Sequence, residues 1–494
     1  MIFEYSIILI YSLALLIIFL YSLAQLNLLY NYVKLNRDEE NLSKFDLTNI
    51  DEVPPVTIQL PVFNEMYVME RLLNCIAKIQ YPKGKLDIQV LDDSTDESIL
   101  FTANKITELQ KTGIAIQHLR RDHRKGFKAG ALKEGLKIAK GDFIAIFDAD
   151  FLPKEDWLFE TVPYFKDPAI GVVQTRWSHI NRNYSTLTKI QAFALDAHFT
   201  LEQVGRNVKN HFINFNGTAG IWRKECIYSA GNWQGDTLTE DLDLSYRAQL
   251  KNWKFKYLEN VETPAELPIT ISASRSQQFR WNKGAAENFQ KLIRKVIASK
   301  NTTIKTKIHS FLHLLNSSMF VNIFLIAVLS VPVLYYKNEH THLKMYFYLL
   351  SFFISSTIIF FLFYWFAYKK IHGTSWVNFM KYIGHFLLFF TIIIGYSWQN
   401  TRAVLEGHFG KKSEFVRTPK FNIYSKKEMR KKNKYSSKKI SLNVLIEGAL
   451  MLYFSFAMYS AFTFEKPDFT FFPFHLILFL GFAYIFFNSI FERN

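Results

Sequence analysis

Cysteine is almost missing from this chain. Only Cys75 and Cys226 occur in 494 residues, both in its polar part, and two thiols supply neither a disulfide framework nor a zinc-binding set. The sequence has no Gly-x-x-x-x-Gly-Lys-Ser/Thr phosphate loop, which argues against a nucleotide-driven transporter. Charge is lacking from long stretches. There is none from Tyr5 to Tyr30, and that run, opening after Glu4, is too long and has the wrong leader for a secretory signal, so it reads as a retained anchor. Acids are scarce between Arg402 and Lys439, where 13 Lys and Arg face three Glu.

What is abundant is apolar and aromatic. Hydrophobic residues make up 49% of the chain, with 48 Phe and 25 Tyr, and they are unevenly spread. A charged region from about 31 to 305 is framed by runs long enough to span lipid: 5–30, 311–336, 345–368, 376–398, 443–463 and 471–490. Short basic loops stay on the cytoplasmic side, so the stretch from Arg402 to Lys439 belongs inside. Binding of nucleic acid or anionic lipid is the other meaning of such a run, but no stacking motif accompanies it.

Parity then matters. If 311–336 exits and 345–368 returns, a full crossing by 376–398 strands the basic loop outside. That segment holds Gly384, His385 and Gly395 and runs into the amphipathic Trp398-Gln399-Asn400-Thr401-Arg402, which suits an interfacial or re-entrant helix. The expected organisation is an anchor at 1–30, a cytoplasmic domain at 31–305, two transmembrane helices in 306–370, an interfacial helix with the basic loop in 371–440, and two final helices in 441–494. It is a multi-pass protein of the cell (inner or plasma) membrane with five crossings.

Inside the charged region, β-rich runs at Val56 to Leu60, Ile88 to Leu91, Ile114 to Leu119 and Phe143 to Phe147 alternate with helical patterns near 66–78, 96–112 and 126–139. That alternation predicts an α/β fold with a mostly parallel, Rossmann-like sheet, whose ligands bind at the carboxyl ends of the strands. Pro61-Val62-Phe63-Asn64-Glu65, Asp92-Asp93 and Asp148-Ala149-Asp150 each follow a strand and should meet along one edge.

Asp148 and Asp150 suit Mg²⁺ or Mn²⁺, which takes one or two carboxylates plus phosphate oxygens; an Asp pair closing a strand is also an ordinary turn signal. Asp92-Asp93-Ser94-Thr95-Asp96 can cap the helix that begins near Glu97 and also accept hydrogen bonds from a base or ribose. The run from Arg124 to Leu132, with Lys128 in it, is either a plain basic loop or a phosphate site before a helix. Thr239-Glu240-Asp241 opens a helical pattern. One acid there complements the helix dipole, whereas Asp236, Glu240, Asp241 and Asp243 so close together should repel, raise a pKa and favour a base. Gln277-x-x-Arg280-Trp281 offers an aromatic face and hydrogen bonds for a sugar, or sits on an amphipathic interfacial helix from Ser272 to Ile297.

The order Asp92-Asp93, Asp148-Ala149-Asp150, Thr239-Glu240-Asp241, Gln277-x-x-Arg280-Trp281 resembles the inverting family 2 glycosyltransferases of the cellulose synthase superfamily. Gln89 to Asp96, Phe215-Asn216-Gly217-Thr218-Ala219-Gly220 and Glu266-Leu267-Pro268 look most like its mannan and glucan synthase-like branch. The resemblance implies a GT-A domain between transmembrane helices that elongates a β-linked glycan from a nucleotide sugar, GDP-mannose or UDP-glucose, and translocates it. It implies that Glu65, Asp92, Asp93, Lys128 and Asp148 bind the donor, and that Asp148 and Asp150 hold Mg²⁺ or Mn²⁺. Asp241, with Glu240 beside it, would act as general base. Asn216, Gly217, Thr218, Gln277, Arg280 and Trp281 would bind the acceptor. Phe415-Val416-Arg417-Thr418-Pro419-Lys420 resembles the family's gating loop, with Phe415, Arg417, Thr418 and Lys420 facing the donor. Cellulose synthases usually carry Cys where Phe215 to Thr218 stand, which turns the reading away from cellulose. The implied partners are the donor, the growing glycan and membrane lipid, with no nucleic acid; export or envelope partners are not legible. A non-processive lipid (ceramide-like) glycosyltransferase is the alternative.

Overall fold

The computed structural model describes residues 2–35, 52–422 and 441–491. Residues 36–51 of the expected domain and 423–440 of the basic loop lie outside the described residues.

Seven strands form one sheet: β1 (Val56–Val62), β2 (Leu86–Asp92), β3 (Ile116–Arg120), β4 (Phe143–Ile146), β5 (Ile170–His179), β6 (Gly220–Arg223) and β7 (Lys254–Ala265). Their order is β3-β2-β1-β4-β6-β5-β7. β1 pairs parallel with β2 and β4, β2 with β3, and β5 with β7, while β6 is antiparallel to both β4 and β5. Every strand except β6 therefore points the same way, and their carboxyl ends share one edge. The mostly parallel sheet expected from the alternation is present; β1 and β2 contain the predicted runs, while β3 begins two residues later than its run and β4 ends one residue earlier. β5 to β7 went unpredicted.

The helices used below are α1 (Ile2–Val33), α2 (Met66–Ile76), α3 (Ser98–Lys111), α4 (Phe127–Ile138), α5 (Thr186–Ala197), α6 (Glu240–Leu250), α7 (Ile271–Ala298), α8 (Met319–Glu339), α9 (Ser355–His372), α10 (Trp376–Gly395), α11 (Ser397–His408), α12 (Leu442–Thr463) and α13 (Phe472–Phe491). Local chemistry sets several starts. Ser185 and Thr188 exchange side chain-to-backbone hydrogen bonds of 3.2 and 2.9 Å ahead of α5, a capping box. The Thr270 hydroxyl accepts the Ala273 N–H at 3.2 Å and opens α7, which carries the Gln277-x-x-Arg280-Trp281 motif.

Period-two alternation divides the sheet between two cores. From β4, Phe143 and Ala145 enter one, shared with Ile58 and Leu60 of β1 and Leu72 and Leu73 of α2. Ile144 and Ile146 enter the other, with Leu132 and Leu136 of α4. This second core extends outside the α/β domain to Leu28, Leu29 and Tyr32 of α1 and to Phe363 and Ala367 of α9.

Among the described residues, six helical stretches are long and apolar enough to cross a membrane: Ile2–Val33, Asn316–Glu339, Lys344–His372, Trp376–Gly395, Leu442–Thr463 and Phe472–Phe491. α10 is one unbroken helix among them, and the amphipathic stretch after it is a separate helix, α11. Tyr382, Phe386 and Phe389 of α10 share a cluster with Leu187, Ile190 and Phe193 of α5, so this helix packs on the α/β domain.

Candidate active site

Of the six strands whose carboxyl ends share one edge, β1, β2, β4, β5 and β7 bring residues to the site. After β1, Glu65 lies just before α2 with its side chain 7% exposed. After β2, the two aspartates part. Asp93 lines the cleft and is held by Arg121 through Nε at 2.6 Å and Nη2 at 2.5 Å. Asp92 is turned inward, accepting the Ser94 N–H at 2.9 Å and lying 2.8 Å from His118 Nε2. It is not among the cleft-lining residues, so of this pair Asp93 is the one presented to a ligand. Asp96 accepts the Ser98 N–H at 3.0 Å, so the capping role in this cluster falls to it.

After β4, the Asp148 carboxylate receives Lys128 Nζ at 2.6 Å, and Lys420 reaches Asp150 from far along the chain. Lys128 sits in the first turn of α4, and its Nζ also donates to the Gly217 carbonyl at 2.9 Å. The paired carboxylates offer hard oxygen donors already facing cationic groups, a set that suits Mg²⁺ or Mn²⁺. The one grouping of three ligand-type side chains among the described residues, Glu4, Glu339 and His340, lies at the start of α1 and the end of α8 rather than in this cleft.

The segment before β6 brings Asn216 and Gly217 to the cleft wall. Gln203 Nε2 donates to Asn216 Oδ1 at 2.6 Å, and Asn216 Nδ2 lies 3.2 Å from His198 Nε2, so the amide is clamped. Gly217 has φ +80°, a conformation that favours glycine, and a Cβ there would stand 3.0 Å from Asp241 Oδ2 and press on that carboxylate. Thr218 is buried away from the cleft, and its hydroxyl accepts the Asp148 N–H at 2.9 Å. It positions the acidic motif and is not in place to touch an acceptor.

Glu240 and Asp241 form the first turn of α6 and both line the cleft. The other two acids in this run are taken. Asp243 pairs with Arg247 and Lys291 at 2.6 and 2.9 Å, and Asp236 with Lys291 at 2.7 Å. Burial, then the Glu240 carboxylate, push the Asp241 carboxyl up, with Lys128 opposing. Burial raises Glu240 too. Burial works against the Lys128 ammonium, but Asp148, Glu240 and Asp241 outweigh it and raise its pKa. An acid with a raised pKa beside a space for a hydroxyl is a candidate proton acceptor.

Gln277, Arg280 and Trp281 of α7 close one side. Across them lies a strap, residues 415–422. Phe415 stacks on Phe127 at 5.7 Å between centroids, with the Arg280 guanidinium 4.6 Å over its ring. Arg280 Nη2 donates to the Thr418 hydroxyl at 2.8 Å, and Arg417 Nη1 is 3.1 Å from Glu65. Burial lifts Glu65 to about 7, with Lys420 and Arg417 pulling back. The structure thus brings Phe415, Arg417, Thr418 and Lys420 onto the acidic motifs.

Several residues of this assembly had no role in the sequence reading. Glu266 accepts the backbone N–H groups of Phe421 and Asn422 at 2.9 and 3.1 Å and pairs with Arg71 at 3.1 Å. Arg71 Nη1 also donates to Asn422 Oδ1 at 2.8 Å. Asn422 has φ +56°, so consecutive N–H groups converge on one carboxylate. The run Glu266-Leu267-Pro268 was the available signal. Arg121, His118, His198 and Gln203 carried none, because their partners are defined by the fold.

Residues 54–284 match the family described as Glycosyltransferase like family 2. Among curated proteins, the chain is 42% identical over 261 residues to Glucomannan 4-beta-mannosyltransferase 9 of Arabidopsis thaliana, covering 52% of this chain and 49% of that protein. It is 42% identical over 277 residues to Probable glucomannan 4-beta-mannosyltransferase 4 of Oryza sativa subsp. japonica, covering 54% and 49%. The chain therefore spans about half the length of the curated relatives it matches. A mannosyltransferase from Pyrobaculum calidifontis, solved in complex with GDP-Man and Mn²⁺, superposes with a TM-score of 0.54 at 18% identity, covering 81% of this chain and 100% of that one. The two share the GT-A fold.

Proposed function

We propose that this chain, whose residues 54–284 match the family described as Glycosyltransferase like family 2, is a membrane-embedded inverting glycosyltransferase that elongates a β-linked mannan or glucan. The donor is a nucleotide sugar, GDP-mannose or UDP-glucose, and the product is translocated by the same chain. The observation that carries this reading is that one cleft gathers the Asp148 and Asp150 pair, the Asp241 carboxylate, the Arg280 and Trp281 wall and a cationic strap.

In this reading Asp148 and Asp150 hold Mg²⁺ or Mn²⁺, which when bound neutralises charge on the departing diphosphate. Lys128, Arg417 and Lys420 line the same cleft as Asp148 and Asp150 and would add hydrogen bonds to the charge developing on that diphosphate. Asp241 takes the proton of the acceptor hydroxyl, whose oxygen bonds to the anomeric carbon as the bond to the diphosphate breaks. Gln277, Arg280 and Trp281 hold the acceptor end.

The strap lines the cleft of the domain that follows α1, so the chain crosses an even number of times between Val33 and Phe415. Of the three apolar stretches in that interval, Trp376–Gly395 is the one we assign to the interface, which leaves five crossings. The excess of basic residues between Arg402 and Lys439 supports a cleft on the cytoplasmic side of a cell membrane.

The test is incubation of the purified full-length chain with a panel of UDP- and GDP-sugars and Mn²⁺ or Mg²⁺, with products separated by length. A nucleotide hexose consumed to give a ladder of oligosaccharides supports the proposal. A single sugar transferred to lipid, or no nucleoside diphosphate released from any donor, overturns it.

A further inference from the structure

The cleft continues past the acidic motifs to a wall that none of the assigned residues occupies. Trp177 and His179, two residues apart near the end of β5, line it together with Leu195 and Leu267. β5 runs parallel to β4 and stands on the opposite side of it from β1 and β2. This wall therefore lies beyond Asp148 and Asp150 as seen from Asp93, away from the nucleotide side.

Its polar atoms are buried and have no partner. The His179 side chain is 1% exposed, yet neither ring nitrogen makes a hydrogen bond. Its nearest carboxylate, Asp196, is 3.7 Å away and already receives both terminal nitrogens of Arg182, at 2.5 and 2.9 Å. Trp177 Nε1 is likewise buried and unpartnered. The indole is fixed by the edge of Phe151, the residue after Asp150, at 5.0 Å, and by Phe199 at 4.7 Å. Buried polar groups are nearly always satisfied, so two such side chains on a cleft wall mark a place for a ligand.

The chemistry narrows the ligand. Burial depresses the His179 pKa to about 4, with Asp196 opposing and Arg182 and Arg176 assisting, so the ring is neutral and offers one donor and one acceptor. The indole adds a second donor. Two donors and an acceptor beside an aromatic surface match adjacent hydroxyls on a sugar ring. A diphosphate, which only accepts, leaves the imidazole acceptor unmet, and an acyl chain leaves all three unmet.

We propose that Trp177 and His179 form a carbohydrate subsite that holds a pyranose of the acceptor glycan through the indole Nε1 and the imidazole nitrogens. The subsite rests on the reading of the cleft as a glycan-elongating site, and fixes which surface grips the acceptor on the side away from the nucleotide.

Mannotetraose and cellotetraose serve as probes, titrated onto the detergent-solubilised full-length chain and onto Trp177→Phe and His179→Phe, which keep a ring and lose the nitrogens. Nucleoside diphosphate binding with Mn²⁺ and the unfolding midpoint monitor the fold. One tetraose should bind the wild-type chain; Trp177→Phe should weaken it about tenfold, the loss of one hydrogen bond, and His179→Phe at least as much, the loss of two, with diphosphate affinity changed less than about twofold. Equal tetraose affinity in wild type and both variants overturns the subsite, as does a wild-type chain that binds neither tetraose. A wild-type chain that binds tetraose as expected but transfers no sugar from any nucleotide donor supports the subsite and takes down the transferase reading instead.

Discussion

Lys420 and Asp150, 270 residues apart in sequence, form an ion pair that ties the strap to the end of β4. Burial works against the Lys420 ammonium, but Asp150, Glu65 and Asp148 outweigh it and raise its pKa. The carboxylate assigned to metal is thus also the carboxylate that receives the strap. Chelation with EDTA should abolish nucleoside diphosphate release, and Mn²⁺ or Mg²⁺ should restore it. Asp150→Ala should weaken nucleoside diphosphate binding in calorimetry with Mn²⁺ present. Full activity in chelator contradicts the metal assignment.

Asp241→Asn keeps the shape of the side chain and removes its basicity. Transfer should drop about 100-fold to 10,000-fold while donor binding stays near the wild-type value. Single-turnover transfer and equilibrium donor binding, measured on one preparation, separate the two. A variant retaining more than roughly a tenth of the rate rules Asp241 out as the base.

The raised Asp241 carboxyl also sets a pH profile. A base works only when deprotonated, so kcat/KM should fall as pH drops through a pKa lying above the ordinary carboxylate range. Glu240→Gln removes the like charge beside it, eases ionisation of Asp241 and should move that acid limb to lower pH. An unmoved limb means that Glu240 is not what Asp241 senses.

Glu266 holds the far end of the strap by two backbone N–H groups, so Glu266→Gln should loosen residues 415–422 while leaving Asp148, Asp150, Glu240 and Asp241 unaltered. Hydrogen exchange at Phe421 and Asn422 should quicken, and donor affinity should fall roughly tenfold. Unchanged exchange in that peptide argues against the anchor.

Trp281→Ala should cut elongation more than donor hydrolysis, because the stacking face serves the acceptor while Asp148 and Asp150 are left in place. Both rates are read at saturating donor. Equal losses mean that Trp281 only supports the fold.

The first half of the sheet was legible because β1 to β4 are short β-rich runs separated by helical patterns, a local signal. The acidic pair at 148 and 150 was legible for the same reason. That Asp93 faces the cleft and Asp92 faces His118 was not, because a turn and a neighbouring strand decide it. Four acids around Asp241 looked alike in sequence, and only the fold delivers Lys291 and Arg247 to two of them. Thr218 matched an acceptor motif by position, yet its hydroxyl is spent on the Asp148 backbone. The strap motif was readable as a motif. Its anchor on Glu266 was hidden by the length of chain between them.

The second core joins Ile144 and Ile146 of the sheet to Leu28 and Leu29 of α1 and to Phe363 and Ala367 of α9. During synthesis the ribosome finishes α7 at Ala298 well before it reaches Ala367, and at about 5–20 residues per second the wait is roughly 3 to 14 s. For that interval the underside of the newborn domain lacks part of its cover. With α9 crossing the bilayer as proposed, membrane insertion and the last step of domain folding become one event on the ribosome.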